Sequence, residues 1–137
     1  MSVVKELLRT ESDGTISFGN YELDQKAKLS DFECNGDLYK VKTFKEITKL
    51  ERNGMLVYES VPGTAVSSFA ADGNGVSFTV EGPDDAQVIL GLEEDAEYEV
   101  VIDGAQTGIV KTNMGGKLVL SVEMGNADQV TVKVTKQ

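Results

Sequence analysis

Apolar and polar residues alternate in short runs along most of the chain, most regularly between Val76 and Val134. Each run is closed by Gly, Asn or Asp. Because successive side chains of a strand point to opposite faces, this alternation predicts antiparallel strands with one buried and one solvated face. The predicted inward-facing residues of this region are Val76, Phe78, Val80, Val88, Leu90, Tyr98, Val100, Ile102, Leu118, Leu120, Val122, Val130, Val132 and Val134.

Turn motifs between the runs predict that consecutive strands form hairpins. Asn35-Gly36 and Asn53-Gly54 are the strongest signals, because a two-residue type I′ turn requires positive φ at both central residues. Ser12-Asp13-Gly14 and Asp72-Gly73-Asn74-Gly75 predict two more hairpins. Residues 24–31 form the most polar connection of the chain, and we predict a loop there.

Short strands at regular spacing predict an all-β fold: an antiparallel β-sandwich, or two abutting small β-sheets, built from consecutive hairpins. We expect roughly ten to twelve strands. The 137 residues are enough for one domain with its own core, which we place at 1–137. A subdomain boundary is an alternative near residues 62–83, at Pro62-Gly63 or Gly82-Pro83, because proline lacks a ladder donor.

The chain is strongly acidic, with 13 Lys and Arg against 23 Asp and Glu and a formal charge of −10. Nucleic acids and anionic membranes are therefore disfavoured as partners, since both attract clustered cations. An acidic surface is typical of a soluble bacterial protein. No run reaches the roughly 18 apolar residues of a membrane span, and the start lacks the pattern of a signal peptide, so we expect a cytoplasmic protein.

The residues that usually carry catalysis are scarce. Histidine is absent, which excludes Ser-His-Asp and Cys-His arrangements and any His-based metal site. The lone Cys34 cannot form an internal disulfide, and without a histidine we interpret it as a small packing residue rather than a nucleophile. We therefore expect no cofactor and no enzymatic activity.

Paired carboxylates are the one catalytic device that the composition permits, as in glycoside hydrolysis. The densest acidic clusters contain Asp84, Asp85, Glu93 and Asp95, with Glu94 between the last two. Both clusters fall between predicted strands, where solvated turn residues are normal. A carboxylate-dependent glycosidase is consequently the third of our functional hypotheses.

Two binding hypotheses depend on side-chain type. Oxygen-rich turns can coordinate calcium, although the spacing of an EF-hand loop is absent. Tyrosine rings can stack on sugars, and two tyrosines lie in neighbouring predicted hairpins, where they would form a binding surface if they shared an exposed face. The weak calcium candidates are Asp72, Asn74, Asp84 and Asp85, and the candidate ligand-binding tyrosines are Tyr39 and Tyr58.

The last third of the chain contains a Tyr-x-Val strand at Tyr98, an Asp-Gly turn at Asp103, a Gly-Lys-Leu turn at Gly116 and a Val-x-Val strand at Val130. In this order the motifs resemble the Ig-like β-sandwich appended to many carbohydrate-active enzymes. The resemblance implies a mostly structural module.

The whole chain is also similar to small clostridial proteins that carry the label endosialidase. Sialidases bind the substrate carboxylate with a cluster of arginines, and this chain has only Arg9 and Arg52. We therefore do not expect that activity here.

Our leading functional hypothesis is a non-enzymatic structural or interaction module that associates with itself, as a homo-oligomer or filament. Chains of hairpins leave edge strands with unpaired backbone groups, and we expect residues 129–134 to form such an edge. Association should strengthen as ionic strength rises, because salt screens the repulsion between acidic copies. The alternative is a carbohydrate-binding accessory module that takes a glycan.

Overall fold

A computed structural model describes residues 3–124 and 129–137, and it confirms the all-β fold. No helix that could span a membrane occurs in the described ranges. Thirteen strands occur in this part of the chain, slightly more than expected. They are β1 (Leu8–Thr10), β2 (Ile16–Phe18), β3 (Ala27–Cys34), β4 (Asp37–Phe44), β5 (Ile47–Arg52), β6 (Met55–Val61), β7 (Ala65–Asp72), β8 (Gly75–Glu81), β9 (Ala86–Gly91), β10 (Glu97–Ile102), β11 (Ala105–Lys111), β12 (Lys117–Val122) and β13 (Val130–Lys136).

The strands form two antiparallel sheets that pack as a β-sandwich. The seven-stranded sheet has the order β1-β2-β7-β8-β13-β10-β11, and the six-stranded sheet has the order β12-β9-β6-β5-β4-β3. Both sheets draw strands from both sides of residues 62–83, and one buried cluster joins them. The alternative boundary in that region stays a prediction.

The expectation that residues 129–134 form an open edge is wrong. Residues 130–134 lie in β13, which pairs with β8 on one side and with β10 on the other, so this strand is internal to the seven-stranded sheet. Both partners are distant in sequence, and alternation within β13 carries no information about them. The open edges of the two sheets are instead β1, β11, β12 and β3.

The core lies between the sheets and follows the predicted alternation. Of the predicted inward residues only Ile102 is half-buried, and all the others are buried. At one place the rings of Phe18, Tyr58, Phe69 and Phe78 meet edge to face or tilted, with centroids 5.2–6.3 Å apart. Such contacts add to the hydrophobic gain of burying the rings.

The two Asn-Gly hairpins have the predicted turn geometry. The φ angles are +53° at Asn35 and +86° at Gly36, and they are +52° at Asn53 and +83° at Gly54. Positive φ at both central residues is the requirement of a type I′ turn, whose twist matches that of the flanking strands. The hairpins β3–β4 and β5–β6 are therefore confirmed.

The loop predicted for residues 24–31 is wrong over most of its length, because β3 begins at Ala27. This strand lies at the edge of the six-stranded sheet and buries fully only Cys34. With so little burial it carries no strong hydrophobic pattern. Its pairing with β4, rather than its own composition, makes it a strand.

A cluster of hydroxyl groups lies buried within the core beneath β4, β5 and β6. Thr48 Oγ1 accepts a hydrogen bond from Thr64 N at 3.0 Å and lies 2.8 Å from both Thr64 O and Thr43 Oγ1. Thr64 Oγ1 also lies 2.8 Å from the hydroxyls of Tyr58 and Ser60. We call Thr43, Thr48, Ser60 and Thr64 the hydroxyl cluster. In the described residues no buried side-chain polar atom lacks a hydrogen-bond partner, as a folded core requires.

Candidate interaction face

The outer face of the six-stranded sheet carries one line of directly opposed residues that crosses all six strands. Its order follows from the pairing register of five consecutive strand pairs. Cross-strand neighbours on one face lie close enough to interact, so the line is a single physical surface. From β3 to β12 its members are Lys28, Lys42, Lys49, Glu59, Ile89 and Val119.

The β3 half of this line is basic. Lys28, Lys42 and Lys49, which we call the basic row, stand side by side on three adjacent strands. Together with Lys40 and Glu51 they line a shallow depression. The Nζ of Lys49 lies 3.4 Å from Glu51 Oε2, whereas Lys28, Lys40 and Lys42 form no ion pair with any described residue. Like charges directly opposite each other destabilise a sheet.

The electrostatics of Lys42 reflect this crowding. Burial lowers the pKa of its ammonium group, and the charges of Lys26, Lys49 and Lys28 lower it further, against a small opposing effect of Glu59. A lowered pKa means that the charged form is disfavoured at this position. An anion placed over the basic row would relieve the repulsion.

The β12 half of the line is apolar. Val119 is 57% exposed, and Ile89 beside it is half-buried. Val61, which is 52% exposed, lies on the same face one row further along. Between these apolar residues Gln87 Nε2 donates a hydrogen bond to Ser121 Oγ at 3.0 Å.

The strand that ends this face, β12, is a regular edge. All six of its residues pair with β9 without a shift in register, and its other side has no partner strand in the described structure. Lys117 at its first position is its one charged residue. An exposed, flat and apolar edge is a template for pairing with another strand.

The two candidate tyrosines do not share an exposed face. Tyr58 is fully buried among the aromatic rings, and its hydroxyl contacts Thr64 Oγ1. Tyr39 is half-buried and packs against the edge of the core. Neither forms a flat exposed platform for a sugar, because both point to the inner side of their sheet.

The candidate catalytic carboxylates lie in two separate places. Asp84 and Asp85 precede β9 and Glu93 and Asp95 follow it, so the six residues of the strand separate them by about 20 Å. Glycosidase carboxylates lie roughly 5–10 Å apart. In the second cluster Lys136 Nζ lies 2.5 Å from Glu93 Oε2, and Lys111 Nζ lies 3.1 Å from Asp95 Oδ1.

Two of the calcium candidates bind backbone amides through their carboxylates, Asp72 within its own turn and Asp85 across to a residue beyond the end of β12. Asp72 Oδ1 accepts a hydrogen bond from Asn74 N, and Asp85 Oδ1 accepts one from Met124 N, both at 2.7 Å. Among the described residues no group of three or more metal-ligating side chains occurs. The calcium hypothesis gains no support from this geometry.

A groove of about 540 Å³ opens at one end of the sandwich, between the tips of the β5–β6 and β7–β8 hairpins. Its one aromatic lining residue, Tyr98, is 2% exposed, and the hydroxyl of Tyr98 accepts a hydrogen bond from Glu93 N at 3.2 Å. The groove therefore offers no ring on which a sugar could stack.

Sequence reasoning missed the basic row, because its three lysines are separated by 14 and 7 positions. Only the register of β3, β4 and β5 places them together. One signal was present in the sequence: residues 26–52 contain seven of the 13 cations, and residues 53–110 contain none. Charge counted segment by segment therefore reveals a basic segment that the net charge of the whole chain hides.

Comparison with known proteins leaves the family open. No family model, no curated protein and no solved structure matches this chain. The resemblance of the last third to appended Ig-like sandwiches therefore stays a prediction.

Proposed function

We propose that this protein is a non-enzymatic interaction module whose copies associate by pairing their β12 edges. The observation that carries the proposal is the regular edge of β12, with Val119 exposed beside it. The absence of histidine and the separation of the carboxylate clusters support the non-enzymatic part.

Each of the other three edges carries a feature that hinders pairing. β1 is only three residues long. The pairing of β3 with β4 is interrupted after Leu29, and Asp31 has a φ of +58°. The pairing of β11 with β10 shifts next to Val100, and Gly108 has a φ of +123°. Short strands and bulges are common protections of exposed edges.

Antiparallel pairing of two β12 strands would join the six-stranded sheets of two copies into one continuous sheet. Such a contact uses the same strand on both copies, so it closes as a symmetric dimer. It would also place the exposed side chains of Val119 next to the partner's sheet and remove apolar surface from water. Each copy carries a charge of −10, so salt should strengthen this contact.

The test is the native mass of the chain and of one variant, measured by sedimentation over a range of protein concentrations. We expect the wild type to reach twice the 14.8 kDa chain mass. Val119→Lys places a charge on the paired edge and should weaken the dimer by about tenfold or more. Ile109→Lys is the matched control, because Ile109 is 61% exposed on β11, an edge strand of the other sheet.

A wild type that stays at 14.8 kDa at every concentration and at high salt would overturn the proposal. Equal weakening by Val119→Lys and Ile109→Lys would also overturn it, since β12 would then have no special role. Far-UV circular dichroism and thermal unfolding establish that both variants keep the fold.

A further inference from the structure

The basic row is an arrangement that the isolated molecule does not stabilise. Three ammonium groups stand side by side on neighbouring strands, and Lys40 lies next to them. The one ion pair of this group in the described residues joins Lys49 to Glu51. Arrangements that reduce stability in this way are expected where a surface has to recognise something of opposite charge.

The same chain carries a surface of the opposite sign. Between Asn53 and Val110 there are eleven Asp and Glu residues and no Lys or Arg. Four of these carboxylates lie exposed at the start of β10 and in the connection before it: Glu93, Glu94, Asp95 and Glu97, which we call the acidic loop.

The acidic loop is only partly neutralised within its own molecule. Lys136 pairs with Glu93 and Lys111 pairs with Asp95. Glu94 and Glu97 form no ion pair with any described residue and are exposed. The loop therefore has carboxylates that remain available to a second molecule.

From this complementarity we infer that the basic row of one copy binds the acidic loop of a second copy. The inference rests on the proposed function, in that copies of the chain associate, but it assigns a second and different contact. The two surfaces are unlike, so the contact is head to tail, and wherever the copies do not close into a ring it leaves one surface of each kind open. Combined with β12 pairing, it would extend dimers into longer assemblies.

The two contacts respond to salt in opposite directions. Pairing of β12 edges is opposed by the repulsion between acidic copies, and salt screens that repulsion. The contact between the basic row and the acidic loop is attractive and exposed, so salt weakens it. Species larger than a dimer should therefore form at low salt and dissociate into dimers as salt is added.

The experiment uses two charge-reversed full-length variants, examined by sedimentation at about 20 mM and about 500 mM NaCl. The row variant combines Lys28→Glu, Lys42→Glu and Lys49→Glu. The loop variant combines Glu94→Lys and Glu97→Lys. At the lower salt concentration each variant alone should lose the larger species, with an apparent Kd raised about tenfold to a hundredfold.

An equimolar mixture of the two variants should restore the larger species. The reversed row of one variant matches the reversed loop of the other, and the two unchanged surfaces also match. The control for net charge combines Lys5→Glu, Lys45→Glu and Lys133→Glu, three exposed lysines outside both the row and β12. This control should keep the larger species.

Three outcomes would overturn the inference. The first is equal loss by the row variant and the net-charge control, and the second is a mixture that does not restore assembly. The third is a row variant that assembles like the wild type. If that variant also lost binding to an added polyanion such as heparin, the basic row would recognise anions without mediating assembly. Failure of the proposed function is seen separately, as the absence of the Val119-dependent dimer at high salt.

Discussion

The outer faces of the two sheets differ although both come from the same alternation of polar and apolar residues. Across the middle of the seven-stranded sheet, Thr79 stands directly opposite Thr131 on one side and Ser67 on the other. Across the six-stranded sheet, Lys42 stands between Lys28 and Lys49. Neutral hydroxyls tolerate each other, whereas lysines repel. Residue type therefore decides whether a polar face is charged, and the register of the strands decides which of its charges stand directly opposite each other.

The inner faces differ as well. Strands β2, β7 and β8 contribute the phenyl rings of Phe18, Phe69 and Phe78. The six-stranded sheet contributes Tyr58, whose ring packs against these phenyls while its hydroxyl contacts the hydroxyl cluster. Buried polar groups stabilise a fold only when all of them are satisfied. The six-stranded sheet thus carries the opposed surface lysines on its outer face and, on its inner face, three of the four residues of the hydroxyl cluster.

The largest expected effect comes from the hydroxyl cluster. Thr48→Val removes the partner of Thr64 N and the hydrogen bonds to Thr64 O and Thr43 Oγ1. Because these groups stay buried, we expect a loss of about 3 kcal/mol in the free energy of unfolding, measured with urea. Thr79→Val, the same change on the outer face of the other sheet, should stay within about 0.5 kcal/mol. Similar losses at both sites would contradict the difference between the sheets.

The next effect is a loss of stability at alkaline pH. Burial raises the pKa of Tyr58 to about 12, while hydrogen bonds to Thr64 and Ser60 oppose the rise. The unfolded chain, with a tyrosine pKa near 10, releases this proton first, so stability is complete below pH 10 and falls as pH rises towards 12. We expect the free energy of unfolding to decrease by about 2 kcal/mol. Urea unfolding at a series of pH values measures this decrease.

Tyr58→Phe separates this effect from other titrations. The pKa of Tyr21 is also raised to about 12, first by burial and then by its hydrogen bond to Glu81. The variant should therefore keep a smaller alkaline loss that originates from Tyr21. An alkaline loss as steep as in the wild type would show that Tyr58 is not its main source.

The smallest effect concerns the basic row itself. Lys42→Glu turns two repulsive cross-strand pairs into attractive ones, so we expect the free energy of unfolding to rise by about 1 kcal/mol at low salt. The gain should shrink as NaCl screens the charges. Thr79→Glu is the matched control at the centre of the other face and should have little effect, because both of its cross-strand neighbours are neutral. A Lys42→Glu variant that is no more stable than this control would show that the lysines do not repel each other measurably.

Much of the fold was predictable because it depends on local signals. The Asn-Gly turns placed two hairpins, since few residues adopt positive φ without strain. The alternation placed nearly all the inward residues from Val76 to Val134 correctly. In contrast, the loop predicted for residues 24–31 overlaps the first part of β3, because an edge strand buries little, and the edge predicted at residues 129–134 fails because the partners of β13, β8 and β10, are remote in sequence.

The candidate site was not predictable from the same signals. Residue type alone makes Tyr39 and Tyr58 candidates, but the direction in which a side chain points depends on register, and both point inward. The lysines of the basic row lie on three separate strands. Their proximity is a consequence of pairing, which the pattern of one strand does not contain.

By itself the sequence determined most of the strands, the tight turns, most of the inward residues and the lack of histidine chemistry, because these depend on residue type and on neighbours along the chain. The tertiary structure alone decided which strands are edges, which lysines stand opposite each other and which tyrosine is buried. The physical reason is that strand pairing joins residues far apart in sequence. A shift of one position would turn every side chain of a strand to the other face.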